Sequence, residues 1–406
     1  MRVLFLTHRL PYAPNRGDRL RAYHMLRAMR EGASVDLVSL AHDRVEAAHA
    51  SDLDALADSV TVLRVSRVHQ ALRAARALLT ARPLTHALLD APGSHRRLRA
   101  LVGARRPDVV LAYCSSMARF AFEAPLAGLP LVVDLMDVDS GKWRSLSAAA
   151  RWPRSVVYAR EARLLARFES VIARGAAATL VVNARERNAL ASVDPSARAI
   201  VVENGVDVAH FTRDHLQPRR PTVVFSGVMN YAPNAQGAVW IAREVWPLVR
   251  ARRTDARLVL VGAEPGDEVK GLARRDPSIT VTGTVPSVRE YLWEASVAVA
   301  PLRIAHGVKN KVVEAVAAGL PCVTTPAVDA GVPVEARPAC LVRDTPATFA
   351  DAIVGLLERS PAERATIAAR ANVSALDWAV KMRALMPILE AAAARRPVGT
   401  AGSETP

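Results

Sequence analysis

Val297-Ala-Val-Ala-Pro-Leu-Arg-Ile-Ala-His-Gly-Val-Lys-Asn-Lys-Val-Val-Glu-Ala-Val-Ala-Ala-Gly-Leu-Pro-Cys-Val-Thr-Thr325 contains one complete structural cycle. Residues 297–301 and 321–325 are short apolar runs rich in valine, the pattern of strands buried on both faces. Between them the periodicity predicts a helix over 309–318. Val312 and Val316 recur at i, i+4, as do Val313 and Ala317, and together they mark a buried stripe. Asn310, Lys311 and Glu314 share the opposite, polar side, and Gly319 stands where a left-handed cap would end the helix. A strand, loop, helix and strand in this order is the repeating piece of a parallel α/β sheet.

The same rhythm runs outward in both directions. Upstream, apolar runs at 222–228, 257–262 and 279–282 with a helix over 236–252 complete one sheet. Nearer the amino end, runs at Arg2–Thr7, 34–40, 60–65, 109–112, 131–134 and 179–182, with a helix over 18–30, make another. A chain of 406 residues exceeds what one core usually supports. The reading is therefore two doubly wound, Rossmann-like parallel-sheet domains, 1–205 and 222–372, joined by a linker at 206–221 whose later part carries two prolines and several charges. Residues 373–395 read as a helix-like segment crossing back to the amino-terminal domain, and 396–406 as a disordered tail. Ligands of doubly wound sheets bind at the carboxyl ends of the strands, and two such domains facing one another would share a cleft there.

Composition narrows the function classes. Apolar residues make up 51% and charged residues 23%, which are globular values. Three widely spaced cysteines, Cys114, Cys322 and Cys340, suggest neither a disulfide framework nor a zinc site and fit a reducing compartment. The short run at the amino end followed by His8 and Pro11 is unlike a signal peptide or membrane span, so the expectation is a cytoplasmic protein. The ten histidines show no H-x-x-x-H spacing, and no P-loop or G-x-S-x-G elbow is present. With 5% aromatic residues and no recognised module, nucleic acid is not an expected partner.

The net charge of +15 is unevenly spread: between Arg64 and Arg106 stand ten arginines and a single acid, Asp90. A helix over 68–79 would set Leu72, Ala75 and Leu79 on one side and Arg73 and Arg76 elsewhere, which suits an anionic membrane surface or simply a solvated face. The expected localisation is thus cytoplasmic, with peripheral attachment to the inner face of the membrane as an option.

In the quoted stretch, the loop 305–308 would offer backbone amides at a helix N-terminus, a favourable place for a diphosphate, with Lys309 and Lys311 adding charge. Glu314, one turn in, is able to accept two hydrogen bonds at once, as the vicinal hydroxyls of a ribose require. A plain Lys311–Glu314 surface pair is the competing reading. In residues 131–140, Leu-Val-Val-Asp-Leu-Met-Asp-Val-Asp-Ser, a buried strand runs into acids, and Asp137 and Asp139 form a D-x-D. They are candidates for orienting an acceptor hydroxyl or for capping the following helix; metal ligation is not expected.

The whole segment around Glu314 resembles the donor-binding signature of family-four glycosyltransferases of the GT-B type, the glycosyl transferases group 1. In that family a glutamate and a second one seven residues on contact the donor sugar and the ribose. Glu314 matches the second, His306 occupies the first position, and Gly307 lies in the loop. Pro11-Tyr-Ala-Pro14 with Gly17, Asp18 and Arg19 resembles the family's first loop, which passes near the diphosphate and acceptor, with Asp18 in place of a second glycine. Residues 201–207, Val-Val-Glu-Asn-Gly-Val-Asp, with Phe211 beyond, look like the exit from the first domain. Residues 225–231, Phe-Ser-Gly-Val-Met-Asn-Tyr, align with a loop where many relatives place an arginine and a lysine on the diphosphate; here neither base is present, and Gly227 remains. Residues 281–285, including Thr284 and Val285, match the segment that cradles the nucleobase. Met136 occupies the place of a histidine found in many members, followed by Asp137. Residues 137–143 look like the branch found in exosortase-linked exopolysaccharide clusters.

The resemblance implies a retaining, metal-independent hexosyltransferase without a cofactor, using a nucleotide-diphosphate sugar as donor and a lipid-linked or oligosaccharide acceptor. A nucleotide-sugar epimerase of the same architecture, or a non-catalytic basic scaffold at a membrane, are the alternatives.

Overall fold

The computed structural model describes residues 1–12, 17–213, 221–303 and 310–395. Within these, the chain forms two compact units: Met1–Glu203 with the segment from Met382 onward, and Asn204–Lys381. His306, Gly307 and Lys309, residues 214–220 of the expected linker and the tail after Arg395 lie outside the described residues.

The first unit is built on β1 (Arg2–Thr7), β2 (Ser34–Ala41), β3 (Ser59–Arg64), β4 (Val109–Tyr113), β5 (Leu131–Met136), β6 (Ala178–Val181) and β7 (Ala199–Val201). Their order is β3-β2-β1-β4-β5-β6-β7, and every pairing is parallel. Central strands such as β1 and β4 are buried along nearly their whole length, which is why their sequences are unbroken apolar runs. The order reverses between β1 and β4, the switch point of a doubly wound sheet.

Beneath that sheet, the helix Gly17–Arg30 is fastened by a fully buried ion pair. Arg21 donates from Nε to Asp134 Oδ2 at 2.8 Å, and both side chains are fully buried. The helix Leu385–Ala394 also packs in this unit, against the helix Gly17–Arg30 and strands β4 and β5.

The second unit contains β8 (Thr222–Ser226), β9 (Arg257–Val261), β10 (Ile279–Val281), β11 (Val297–Ala300), β12 (Cys322–Thr324) and β13 (Cys340–Val342), ordered β10-β9-β8-β11-β12-β13 and again parallel. The order reverses between β8 and β11. Two parallel doubly wound sheets are thus the observed fold class, as expected. Trp246, fully buried, donates from Nε1 to Ser278 Oγ at 2.8 Å and pins the helical layer to the start of β10.

Several local details depart from the sequence expectations for identifiable reasons. The helix expected over 236–252 begins earlier, at Ala232, and carries a π-turn at Ile241–Val245 before resuming as Trp246–Arg252. Pro247 lacks the amide that a regular ladder needs there, and the wider turn accommodates it. Gly205, in the segment that resembles the exit from the first domain, allows a close main-chain approach. A Cβ on it would lie 2.7 Å from the Trp378 main chain, where Val206 donates to the Leu376 carbonyl at 2.8 Å and accepts from the Trp378 amide at 3.2 Å. The segment 373–395 is not one helix: short helical pieces at Ser374–Leu376, Trp378–Lys381 and Met382–Ala384 precede Leu385–Ala394. Asp377 interrupts it by pairing with Val206 and accepting from the Ala379 amide.

Candidate functional site

In the second unit, all parallel strands end on one edge, and glycine-containing loops follow β8, β9 and β10 there. At the switch point, Gly227 follows β8 and Gly262 follows β9. Their main chains touch so closely that a Cβ on Gly262 would fall 1.8 Å from the Gly227 carbonyl oxygen. A Cβ on Gly227 would meet Lys311 Nζ at 2.7 Å and Asn234 Nδ2 at 2.8 Å.

Lys311 therefore reaches from the helix Asn310–Ala317 into the loop after β8. Its ammonium donates to Asn234 Oδ1 at 2.7 Å and stands 4.5 Å from the centre of the Phe225 ring. Asn234, itself buried, donates to the Val228 carbonyl at 2.8 Å, so the loop, the amide and the ammonium are one connected structure. The Asn234 contribution escaped sequence reading, because nothing local links positions 234 and 311.

Glu314 lies one turn beyond Lys311, partly buried between fully buried Val313 and Ala315. Desolvation pushes its carboxyl up to about 7, and the Lys311 ammonium opposes that rise. The helix ends as its sequence suggests: Gly319 has φ 76°, its amide bonds to the Val316 carbonyl at 2.9 Å, and Leu320 bonds to Ala315 at 3.0 Å. Thr284 is exposed and Val285 packs on the core, in the loop after β10 on the same carboxyl edge, next to Gly283 with φ 71°.

The raised Glu314 value has a testable sign. An unfolded glutamate ionises at about 4.3, whereas the folded one holds its proton to about 7, so unfolding releases a proton between these values. Stability of the second unit accordingly falls as pH rises through that window. Glu314→Gln, neutral throughout, is expected to melt higher than wild type at pH 8 and to lose that advantage at pH 5. Scanning calorimetry at the two pH values checks this, and equal differences would mean a solvated carboxylate.

In the first unit the carboxyl edge at the β1/β4 switch point gathers a different set. His8, just past β1, stacks on Tyr113 at 5.6 Å between ring centres. Tyr113 donates its hydroxyl to Met136 Sδ at 2.8 Å. Met136 has φ 62° and Cys114 φ 74°, two left-handed non-glycine residues at the ends of adjacent strands. Asp137 and Asp139 follow immediately. Asp139 is the first residue of the helix Asp139–Ala149 and accepts from Ser115 Oγ at 3.1 Å rather than capping that helix. Burial raises its carboxyl, opposed by Lys142 and Ser115 and reinforced by Asp137.

The cap of that helix comes instead from Glu169, fully buried, which accepts from the Ser140 amide at 3.0 Å; burial pushes it up to about 7. Glu186 accepts from the Val138 amide at 2.9 Å and is also raised by burial. His8, Tyr113 and Glu169 were not foreseen, since they converge only through the sheet. Gly17 opens its helix, and Arg19 is buried with its guanidinium 3.2 Å from Glu46 and 4.5 Å from the Tyr12 ring centre. The Asp18 side chain lies outside the described residues. Among the described residues no cluster of three or more His, Cys, Asp or Glu is placed to hold a metal ion, and no helix is long and apolar enough to cross a membrane.

Residues 220–359 match the family described as glycosyl transferases group 1. No curated protein is matched by the chain. Among solved structures, Anabaena HepE in complex with UDP is similar over 96% of this chain and 100% of its own, at 16% identity and TM-score 0.64. A point mutant of TarM from S. aureus, solved with fondaparinux, alpha-GlcNAc-glycerol and UDP, covers 96% and 100% at 9% identity and TM-score 0.66. A UDP-forming trehalose-phosphate synthase from Burkholderia xenovorans covers 96% and 98% at 12% identity and TM-score 0.62. The chain thus has the GT-B fold, and residues 220–359 of its second unit are similar to the glycosyl transferases group 1.

Proposed function

We propose that the chain is a retaining glycosyltransferase that moves a hexose from a nucleotide-diphosphate sugar to a hydroxyl of a lipid-linked or growing glycan, in exopolysaccharide or cell-envelope polysaccharide synthesis. The observation that carries this reading is the seat of Lys311. The loop after β8 has no base of its own, yet the Lys311 ammonium is delivered into it and held by Asn234 and Phe225. An ammonium set against the glycine loop at a switch point suits a diphosphate. The group 1 match over 220–359 and the likeness to structures solved with UDP support the same donor class.

In this reading Lys311 and Lys309 stabilise the departing diphosphate while the acceptor hydroxyl attacks the anomeric carbon on the face it leaves. The carbon–oxygen bond to the phosphate breaks, the new glycosidic bond forms, and the hydroxyl proton passes to a diphosphate oxygen. Glu314 holds the ribose hydroxyls, Thr284 and Val285 border the base, and donor binding by His306 and Gly307, which lie outside the described residues, follows from the family resemblance. Asp137 and Asp139 orient the acceptor. No metal or cofactor has a part in it.

A thermal-shift panel of UDP, GDP, ADP and TDP hexoses tests the assignment. Glu314→Ala is expected to weaken every nucleotide by about 1–3 kcal/mol, roughly five- to 150-fold. Unchanged affinities would remove Glu314 from the ribose. Isomerisation of the donor without acceptor would replace transfer with epimerisation.

A further inference from the structure

The geometry points to an anionic lipid bilayer as the partner of one face of the first unit, the face formed by the end of the helix Arg67–Leu78 and the helical hairpin 139–175. On the first helix, the side carrying Leu72 and Ala75, and Leu79 just beyond it, stays uncovered. Leu72 is 68% exposed and Leu79 88%, whereas Ala77 faces inward. The hairpin turn adds Trp152, 81% exposed, and Val156, 57% exposed, with Leu146 beside them. These pieces adjoin: Arg160, one turn after Val156, donates to the Ala77 carbonyl at 2.6 Å and also to the carbonyls of Thr80 and Arg82. Large apolar side chains grouped this way on a surface mark an interaction site.

The charge around them selects the partner. Residues 141–160 contain five cations, Lys142, Arg144, Arg151, Arg154 and Arg160, and no acid. Asp90, the single acid between Arg64 and Arg106, is already held by Arg73 at 2.6 Å and by Arg82 and Arg119 at 3.1 Å. Among the described residues Arg76, Arg144, Arg151 and Arg154 have no carboxylate within ion-pair distance, and all are exposed. Exposed leucines and a tryptophan ringed by unpaired arginines fit the boundary between acyl chains and anionic headgroups. A neutral or acidic protein surface would leave one of the two features unmatched.

The hairpin also places this face. Its second helix, Arg154–Gly175, is 22 residues long, about 33 Å, and ends beside the amino end of β6, where the Ala177 amide bonds to Leu131. A six-residue strand such as β5 spans only about 20 Å. The tip with Trp152 therefore projects beyond the carboxyl edge of the sheet, on the side where Asp137 and Asp139 lie. The inference stands on this surface alone and is independent of the proposed reaction.

Flotation with vesicles of phosphatidylcholine alone, and with about 30 mol% phosphatidylglycerol, tests it in the full chain without donor. Binding is expected only to the anionic vesicles, weakened by salt. The double variant Leu79→Ser, Trp152→Ser should reduce partitioning at least about tenfold. Arg151→Glu with Arg154→Glu should reduce it similarly, and Glu314→Ala should leave it unchanged. Both surface variants should keep the wild-type melting temperature and nucleotide affinity. Failure to bind anionic vesicles would overturn the proposal, as would binding indifferent to the Leu79 and Trp152 changes. Self-association abolished by the same double variant, without vesicle binding, would assign the face to a second copy.

Discussion

Asp134→Ala is expected to destabilise the first unit by about 3–5 kcal/mol, because it removes the carboxylate that balances the Arg21 guanidinium in a fully buried site. The pair is fully buried on both sides: Asp134 Oδ2 accepts from Arg21 Nε at 2.8 Å and stands 2.7 Å from Nη2. Its other oxygen accepts from the Met136 amide at 2.9 Å, so the carboxylate also shapes the strand end that presents Asp137 and Asp139. Urea unfolding followed by two probes, one in each unit, should show the loss in the first-unit transition alone. The double change Arg21→Met, Asp134→Leu removes both charges and should recover most of the stability. A single-variant loss below about 1 kcal/mol would mean that the arginine finds water.

The second large effect is expected from Gly262→Ala, at about 3 kcal/mol or more in the second unit. The added methyl would sit 1.8 Å from the Gly227 carbonyl oxygen and 2.7 Å from its carbon, both main-chain atoms. Gly227 has little room to retreat, since its amide bonds to the Val261 carbonyl at 2.9 Å and its other side faces Lys311 and Asn234. If the loop yields, the Lys311 seat moves with it, and nucleotide affinity falls in place of stability. Melting and nucleotide titration together capture both responses; a variant normal in both would show that the close approach of the two loops is dispensable.

How much of this was legible in the sequence depends on what each feature rests on. Interior strands such as β1 and β4 are covered on both faces, so their apolar runs state what they are. Edge strands β7 and β13 have three residues each and are only partly covered, so their composition carries no comparable pattern. The polar face of the helix bearing Lys311 and Glu314 follows from period alone, and so does its glycine stop. Where Lys311 points does not, because Asn234 is 77 residues away in sequence and is brought near only by the sheet. His8 meeting Tyr113 across the switch point is of the same kind. Gly205 illustrates the limit from another side: sequence identifies a position that needs glycine, yet a turn and a close main-chain approach look alike until the approaching Trp378 segment is seen.

The return of the chain to the first unit after Lys381 carries a consequence for biosynthesis. Leu385 and Leu389 of the returning helix are fully buried, and they cover a surface whose strands are translated long before them. On a ribosome, that surface stays open while the entire second unit emerges and folds, since local units form as soon as their residues are available. The unit made first is therefore completed last. Chaperone demand should concentrate on that interval, and a nascent chain arrested near residue 381 should expose apolar surface that the released chain does not.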